Sequence, residues 1–201
     1  MSTAESGGRA PSLRRDARDN LVKLQAAAVE VFQEDGLGAP LESVAKRAGV
    51  SIGTLYNRFG SREALIDASV GGLAAARLDD AVERAGAIRD PWGRFASFVT
   101  QLTELQATWP VVSDVFERKF PGAHEVTAIC DRTMEHAAGF IADAQRSGSL
   151  RRDFDPRDLI ALLTSNAAIV KATRQADPEA WRRHLAFFLD GIRTAAEPDA
   201  R

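Results

Sequence analysis

The chain has 201 residues, 26 of them basic and 28 acidic, for a formal net charge of −2. That length suits one large domain or two small ones, and an apolar fraction of 45% is enough to build a core, which excludes a disordered chain. No apolar run approaches the roughly eighteen residues that cross a bilayer, and a single cysteine, Cys130, excludes both an internal disulfide and a cysteine-rich zinc module.

Residues 1–12, rich in Ser, Gly, Ala and Pro, read as a flexible tail. No apolar stretch follows their charges, so a secretory signal is not expected, and the cytoplasm is the expected compartment. Arg9, Arg14, Arg15 and Arg18 concentrate positive charge at this end, although residues 1–60 as a whole carry only 8 basic against 7 acidic side chains. Alternating β-branched runs are scarce and helical periodicity is strong, so the expected fold class is all-α. A first helix is expected from about 13 to 34, with Leu21, Leu24, Ala28, Val31 and Phe32 on one stripe and Gly36 as its left-handed stop. A second opens at Pro40, carries Leu41, Val44, Ala45 and Ala48, and stops at Gly49. A short third follows the N-cap Ser51 and ends at Phe59-Gly60; Ser61 caps a fourth, with Ala64, Leu65, Ala68 and Leu73 turned inward. Beyond these, Asp90-Pro91, Asp155-Pro156 and Asp177-Pro178 each place a capping carboxylate before a first-turn proline. They predict helices at about 91–108, 156–175 and 178–195, with others at 110–118 and 122–147.

The short third helix is oddly decorated for one that only packs. Together with the helix before it and the turn Ala48-Gly49-Val50-Ser51 it has the layout of a helix-turn-helix, whose second helix enters the DNA major groove. Gly53 and Thr54 are small enough to let the helix start approach a duplex, and Thr54 and Ser51 offer hydroxyls to phosphate. Tyr56 can donate to a phosphate, while Asn57 and Arg58 can reach base edges or backbone. Leu55 and Phe59 anchor the helix to its neighbours. Arg62 is expected to add a phosphate contact, and Arg14, Arg15 and Arg18 a backbone or minor-groove contact.

Residues from about 18 to 66, through the run AAAVEVFQEDGLGAPLESVAKRAGVSIGTLYNRFGSREALI, resemble the DNA-binding domain of the TetR family of transcriptional regulators. The matching positions run continuously from Phe32 and Gly36 through Val44-Ala45, Gly49, Gly53, Leu55-Tyr56 and Phe59 to Glu63-Leu65. The resemblance implies about nine helices and a homodimer on palindromic operator DNA, released by a small molecule bound in the C-terminal domain. Many members carry a threonine that caps the second helix and touches phosphate. This chain has Ala39-Pro40-Leu41 there, with Ser43 as the expected substitute. Asn57 stands where many members have a larger residue, which leaves the operator sequence open.

The expected organisation is therefore a tail (1–12), a helix-turn-helix domain (13–60) and a ligand-binding and dimerisation domain (61–201). In the last, Phe98, Trp109, Phe116, Phe120 and Phe140 are candidate pocket walls, and Thr133, His136 and Asn166 candidate polar groups, with plain core the competing reading for each. The dimer contact is expected on the last two helices, through Leu163, Ile169, Trp181, Leu185, Phe188 and Ile192. His124 and His136 have no recognised metal-ligand spacing, and no nucleophile, base and acid stand at recognisable spacing, so neither metal site nor catalytic residues are expected. No cofactor is expected beyond an unidentified small-molecule effector. The competing function is a helical carrier or enzyme that kept the fold and lost DNA binding. Its mark would be a broken recognition helix.

Overall fold

A computed structural model describes residues 10–117 and 120–194, with side chains described from Asn20 onward. Helix α1 (Ala10–Asp35) begins three residues before the expected start, and the tail residues 1–9 lie outside the described residues. Then follow α2 (Leu41–Ala48), α3 (Ile52–Phe59), α4 (Arg62–Ile66), a π-helical turn (Asp67–Gly71), α5 (Gly72–Gly86), α6 (Pro91–Thr108), α7 (Pro110–Phe116), α8 (His124–Arg146), α9 (Pro156–Thr173) and α10 (Ala180–Ile192). Since α4, the π turn and α5 run on as one rod, the described residues form nine rods, and they contain no strand, only an isolated bridge between Leu150 and Arg193. The all-α reading holds.

Local chemistry explains most boundaries. Asp90 and Asp155 cap α6 and α9 as their Asp-Pro signals require: Asp90 accepts from Gly93 N–H, and Asp155 forms a reciprocal box with Asp158. Asp177 does not begin a helix in the same way. Its side chain accepts from Glu179 N–H at 3.3 Å, and α10 starts two residues after the proline. Pro40 lies just outside α2 as its N-cap, with ψ 131°, rather than inside its first turn. Gly49, at φ 71°, closes α2: its N–H donates to Lys46 O and that of Val50 to Ala45 O, a Schellman pair that turns the chain toward α3.

The rod differs from expectation in its facing. Leu65 is buried, but Ala64, Ala68 and Leu73 are exposed, and Ile66, Val70, Ala74 and Leu78 face the core instead. The π turn holds an extra residue in one turn, so a stripe read at uniform α spacing lands on the wrong side after it. One continuous core joins the α1–α3 residues Leu24, Phe32, Val44 and Leu55 to Phe95, Phe98, Trp109, Leu159 and Trp181 of the C-terminal bundle. Among the described residues no helix is long and apolar enough to cross a membrane.

Candidate nucleic-acid interface

Helix α3 is held from one side and bare on the other. Leu55 is fully buried, in one core with Val44, Ala45 and Phe32, and Phe59 is half-buried against it. Gly53, Tyr56, Asn57 and Arg58 face solvent, with Tyr56 49% exposed despite its large ring. A Cβ built on Gly53 meets only Ser51 Oγ, at 3.7 Å, so space does not require glycine there, and its small size keeps the helix start low. Ser51 caps the helix, accepting Thr54 N–H at 3.1 Å, and its hydroxyl also pairs with Thr54 Oγ1 at 2.9 Å. The cap is worth about 1 kcal/mol. It also fixes the rotamer of Thr54 at the end of the helix where backbone N–H groups favour a phosphate.

Two expected contacts are placed elsewhere. Arg62 faces inward: its Nη1 donates to Leu37 O at 2.9 Å and to Ala39 O at 2.7 Å, and its guanidinium lies 6.0 Å from the Phe120 ring. It clamps the turn between α1 and α2. Ser43 does not take the missing threonine's capping place, since the start of α2 has no side-chain cap and Ser43 N–H turns back to Pro40 O. The side chains of Arg14, Arg15 and Arg18 lie outside the described residues. Arg47, at the end of α2, is spent internally: both Nη atoms reach the Glu34 carboxylate at 2.7 Å. That hydrogen bond holds Glu34 below the usual carboxylate range. Because the folded value is the lower one, the α1–α2 contact is present above the usual glutamate range and lost as pH falls through the folded value.

The C-terminal bundle sorts the pocket candidates. Phe98 and Phe140 stack edge-on at 5.3 Å between α6 and α8; Phe98 is fully buried, and Phe116 and Phe120 are half-buried. His136 is exposed on α8, as is His124, so neither reaches the core. The outward face of α8 follows from its period: Thr133 and Ala137, one turn apart, point in, and Glu135 and His136 point out. Thr133 spends its hydroxyl on Ile129 O at 2.8 Å. Among the described residues no group of three His, Cys, Asp or Glu converges on a metal position.

Asn166 and Trp109 stand apart. Gln106 Nε2 donates to Leu163 O at 3.0 Å, and Asn166 Nδ2 donates to Gln106 Oε1 at 3.0 Å. A backbone carbonyl can only accept, so it fixes the orientation of Gln106, and Gln106 in turn fixes that of Asn166. Asn166 Oδ1 is left buried without a partner, as is Trp109 Nε1, whose ring lies under the Arg77 guanidinium at 4.4 Å. Gln106 also floors a cleft of about 400 Å³ between the end of α1, α7 and α9. Asp114 lines the same cleft and accepts Leu37 N–H at 2.6 Å, a contact between α7 and the α1–α2 turn 77 positions away in sequence that sequence reading missed. A Cβ on Gly36, itself at φ 79°, would stand 2.8 Å from Asp114 Oδ2, so this turn needs glycine for space as well as for conformation.

The expected dimer residues mostly serve the chain's own core. Leu163, Trp181, Leu185 and Ile192 are buried within the protomer, while Ile169 and Phe188 are half-buried, Phe188 edge-on to Phe154 at 6.3 Å. The outward face of α9 and α10 carries other residues: Ile160, Ala161, Ala168 and Ala172 on α9, and Phe187, Ala186 and Gly191 on α10. Phe187 is 70% exposed and Ile160 44%.

A capped, polar-faced α3 following a glycine turn on an all-helical body defines a helix-turn-helix regulator. Comparison with known proteins agrees. Residues 24–69 match the bacterial regulatory proteins of the tetR family, and residues 90–194 match the C-terminal domain of SbtR-like transcriptional regulators. The chain belongs to the TetR family of bacterial transcriptional regulators. Family and relatives are regulators of transcription, not enzymes. The regulator RaaS of Mycobacterium tuberculosis is 24% identical over 135 residues, which span 67% of this chain and 61% of that one. The TetR regulator SCO0520 of Streptomyces coelicolor is 30% identical with a TM-score of 0.52, over 88% of this chain and 99% of that one. FadR of Bacillus subtilis, solved with stearoyl-CoA, shares the fold at 18% identity with a TM-score of 0.62, over 85% of this chain and 98% of that one.

Proposed function

We propose that the protein is a repressor that binds a palindromic operator as a homodimer and leaves it when a small molecule enters the C-terminal bundle. The observation that carries this is the bare polar face of α3, Gly53, Tyr56, Asn57 and Arg58, on a helix that buried Leu55 holds rigidly in place. A carrier or enzyme that had lost DNA binding would have no use for that face. Ser51 and Thr54 at the helix start and Tyr56 on its flank take phosphates; Asn57 and Arg58 read bases. Arg14, Arg15 and Arg18 reach the adjacent backbone.

Dimerisation through the outward faces of α9 and α10 fits the exposed Phe187 and Ile160. The alanines and glycine between them let two helix pairs approach closely around a two-fold axis. Two recognition helices so related meet successive major grooves roughly 34–36 Å apart.

The effector reading rests on the orphaned polar atoms. A buried donor or acceptor without a partner costs about 1–3 kcal/mol. Trp109 Nε1 and Asn166 Oδ1 impose that cost in a core whose buried polar side chains are otherwise Thr103, Gln106 and Thr133. A largely apolar effector with an acceptor for Trp109 and a donor for Asn166 removes it. FadR, with its bound stearoyl-CoA, is one relative in fold whose ligand has a long apolar part.

Selection of bound duplexes from a random DNA library tests the reading. A palindrome is expected, and the enriched duplex then serves to screen small molecules for release. Ligand-stripped protein that enriches nothing would overturn it in favour of a carrier. On the enriched site, Tyr56→Phe is expected to weaken binding to all sequences alike. Asn57→Ala and Arg58→Ala are expected to relax base preference at particular positions, by about 1–3 kcal/mol each. Wild-type behaviour in all three would remove α3 as the reader.

A further inference from the structure

The rod that joins the DNA-binding helices to the bundle is interrupted by the π turn Asp67–Gly71, and two helices grip consecutive residues of that turn. Asp67 reaches across to the start of α8, where its Oδ2 accepts Glu125 N–H at 3.3 Å and its Oδ1 accepts Val126 N–H at 3.2 Å. Ala123, the N-cap of α8, supplies no side-chain bond of its own, so Asp67 stands in for that cap from another helix. At the next residue, Ala68 O accepts from Gln25 Nε2 of α1 at 2.7 Å. Gly71, which closes the turn, is covered by Glu125: a Cβ there would lie 2.9 Å from Glu125 Oε2. The π turn thus ties α8, which carries Thr133 and Phe140, to α1, whose buried Leu24, Ala28 and Phe32 share the core of α3.

We propose that Asp67 is the positioning residue that sets the recognition helix against the bundle, and with it the half-site spacing that the protein binds. The proposal rests on the reading of the protein as an operator-binding dimer. A π turn has poorer hydrogen-bond geometry than the α turns around it and persists where neighbours hold it. Each residue of an α-helix adds about 100° of rotation, so a small change of winding at residues 67–71 turns α1–α4 appreciably relative to α5 and α8. A displacement of α8 at its start pulls directly on Asp67. In a dimer the same rotation acts in both protomers and changes the span between the two α3 helices.

An Asp67 that served only as a cap would affect stability and all DNA binding equally. One that sets geometry controls which half-site spacing is bound. The test uses the full chain, the selected operator, and versions of it with the half-sites moved one or two base pairs closer or further apart. Asp67→Ala is expected to bind the native spacing at least tenfold more weakly and to lose its preference among spacings, while dimer mass and binding to a single half-site stay as in wild type. Asp67→Asn, whose amide oxygen can accept only one of the two N–H groups, restores affinity and preference in part. If Asp67→Ala keeps the wild-type preference, whether at full affinity or with an equal loss on every duplex, the proposal is overturned. Should that variant fail to fold, Gln25→Leu cuts the opposite grip and must flatten the preference in the same way; an unchanged preference there is equally fatal. A wild-type protein that selects no duplex at all overturns the operator reading instead, and this proposal with it.

Discussion

Phe187→Glu is expected to turn the proposed dimer into monomers in sedimentation, lowering the thermal midpoint only by what dimerisation itself contributes. The two halves of that outcome have separate causes. The Phe187 ring is 70% exposed in the single chain, so it contributes little to the chain's own fold. Buried in a two-fold contact it is worth about 2–3 kcal/mol in each protomer, and a carboxylate in its place adds a desolvation cost on both sides of the axis. Operator affinity falls much further than the chemistry of one side chain implies. A dimer binds its second half-site at the high effective concentration set by the first, and losing that link costs about 10²–10⁴-fold. The same substitution at Leu185 would test folding and not assembly, because that side chain is buried in its own protomer. A Phe187→Glu protein that still sediments as a dimer would move the interface off the α9–α10 face.

The second large effect is expected at Arg62→Ala, and it should appear as lost stability. Removing the guanidinium leaves Leu37 O and Ala39 O without their charged donor, and each such bond contributes about 1.5–3 kcal/mol. The urea midpoint should therefore fall by an amount equivalent to about 3 kcal/mol or more. Were Arg62 a phosphate ligand, stability would hold and the salt dependence of operator binding would become shallower by about 0.9 in log–log slope per lost contact. The two readings of this arginine are separated by one denaturation curve and one salt titration.

How far the sequence alone leads depends on the range of the interaction. Caps and stops are local, and Ser51, Asp90, Asp155 and Gly49 act as their neighbours in sequence imply. The amphipathic period exposes the polar side of α3 and buries Leu55 for the same reason. Period alone fails where the backbone changes winding, which is why Ala68 and Leu73 come out exposed. It also fails to say which of two apolar faces meets the chain itself and which meets a second copy. Trp181 and Leu185 look no different in sequence from an interface pair, and Phe187, one residue off their stripe, is the one left bare. The bonds from Asp114 to Leu37 and from Asp67 to α8 join residues 58 to 77 positions apart, and nothing in a single sequence marks those carboxylates among 28 acidic side chains. Arg62 shows the same limit in reverse, since its position in the motif points to DNA and its surroundings turn it inward.

The amide pair of Gln106 and Asn166 has a consequence for anyone who evolves this protein in the laboratory. A leucine at position 166 alone would remove one acceptor that nothing satisfies and orphan another, Gln106 Oε1, so heat-resistance screening should enrich Gln106→Leu and Asn166→Leu together, which removes both. On the proposed reading, such clones would fold better and hold the operator without answering the effector. Natural variants that stay inducible would keep the weaker core. Thermal robustness and responsiveness would then be traits in competition at one pair of residues, and a regulator chosen for durability as a genetic part would have to be chosen without touching it.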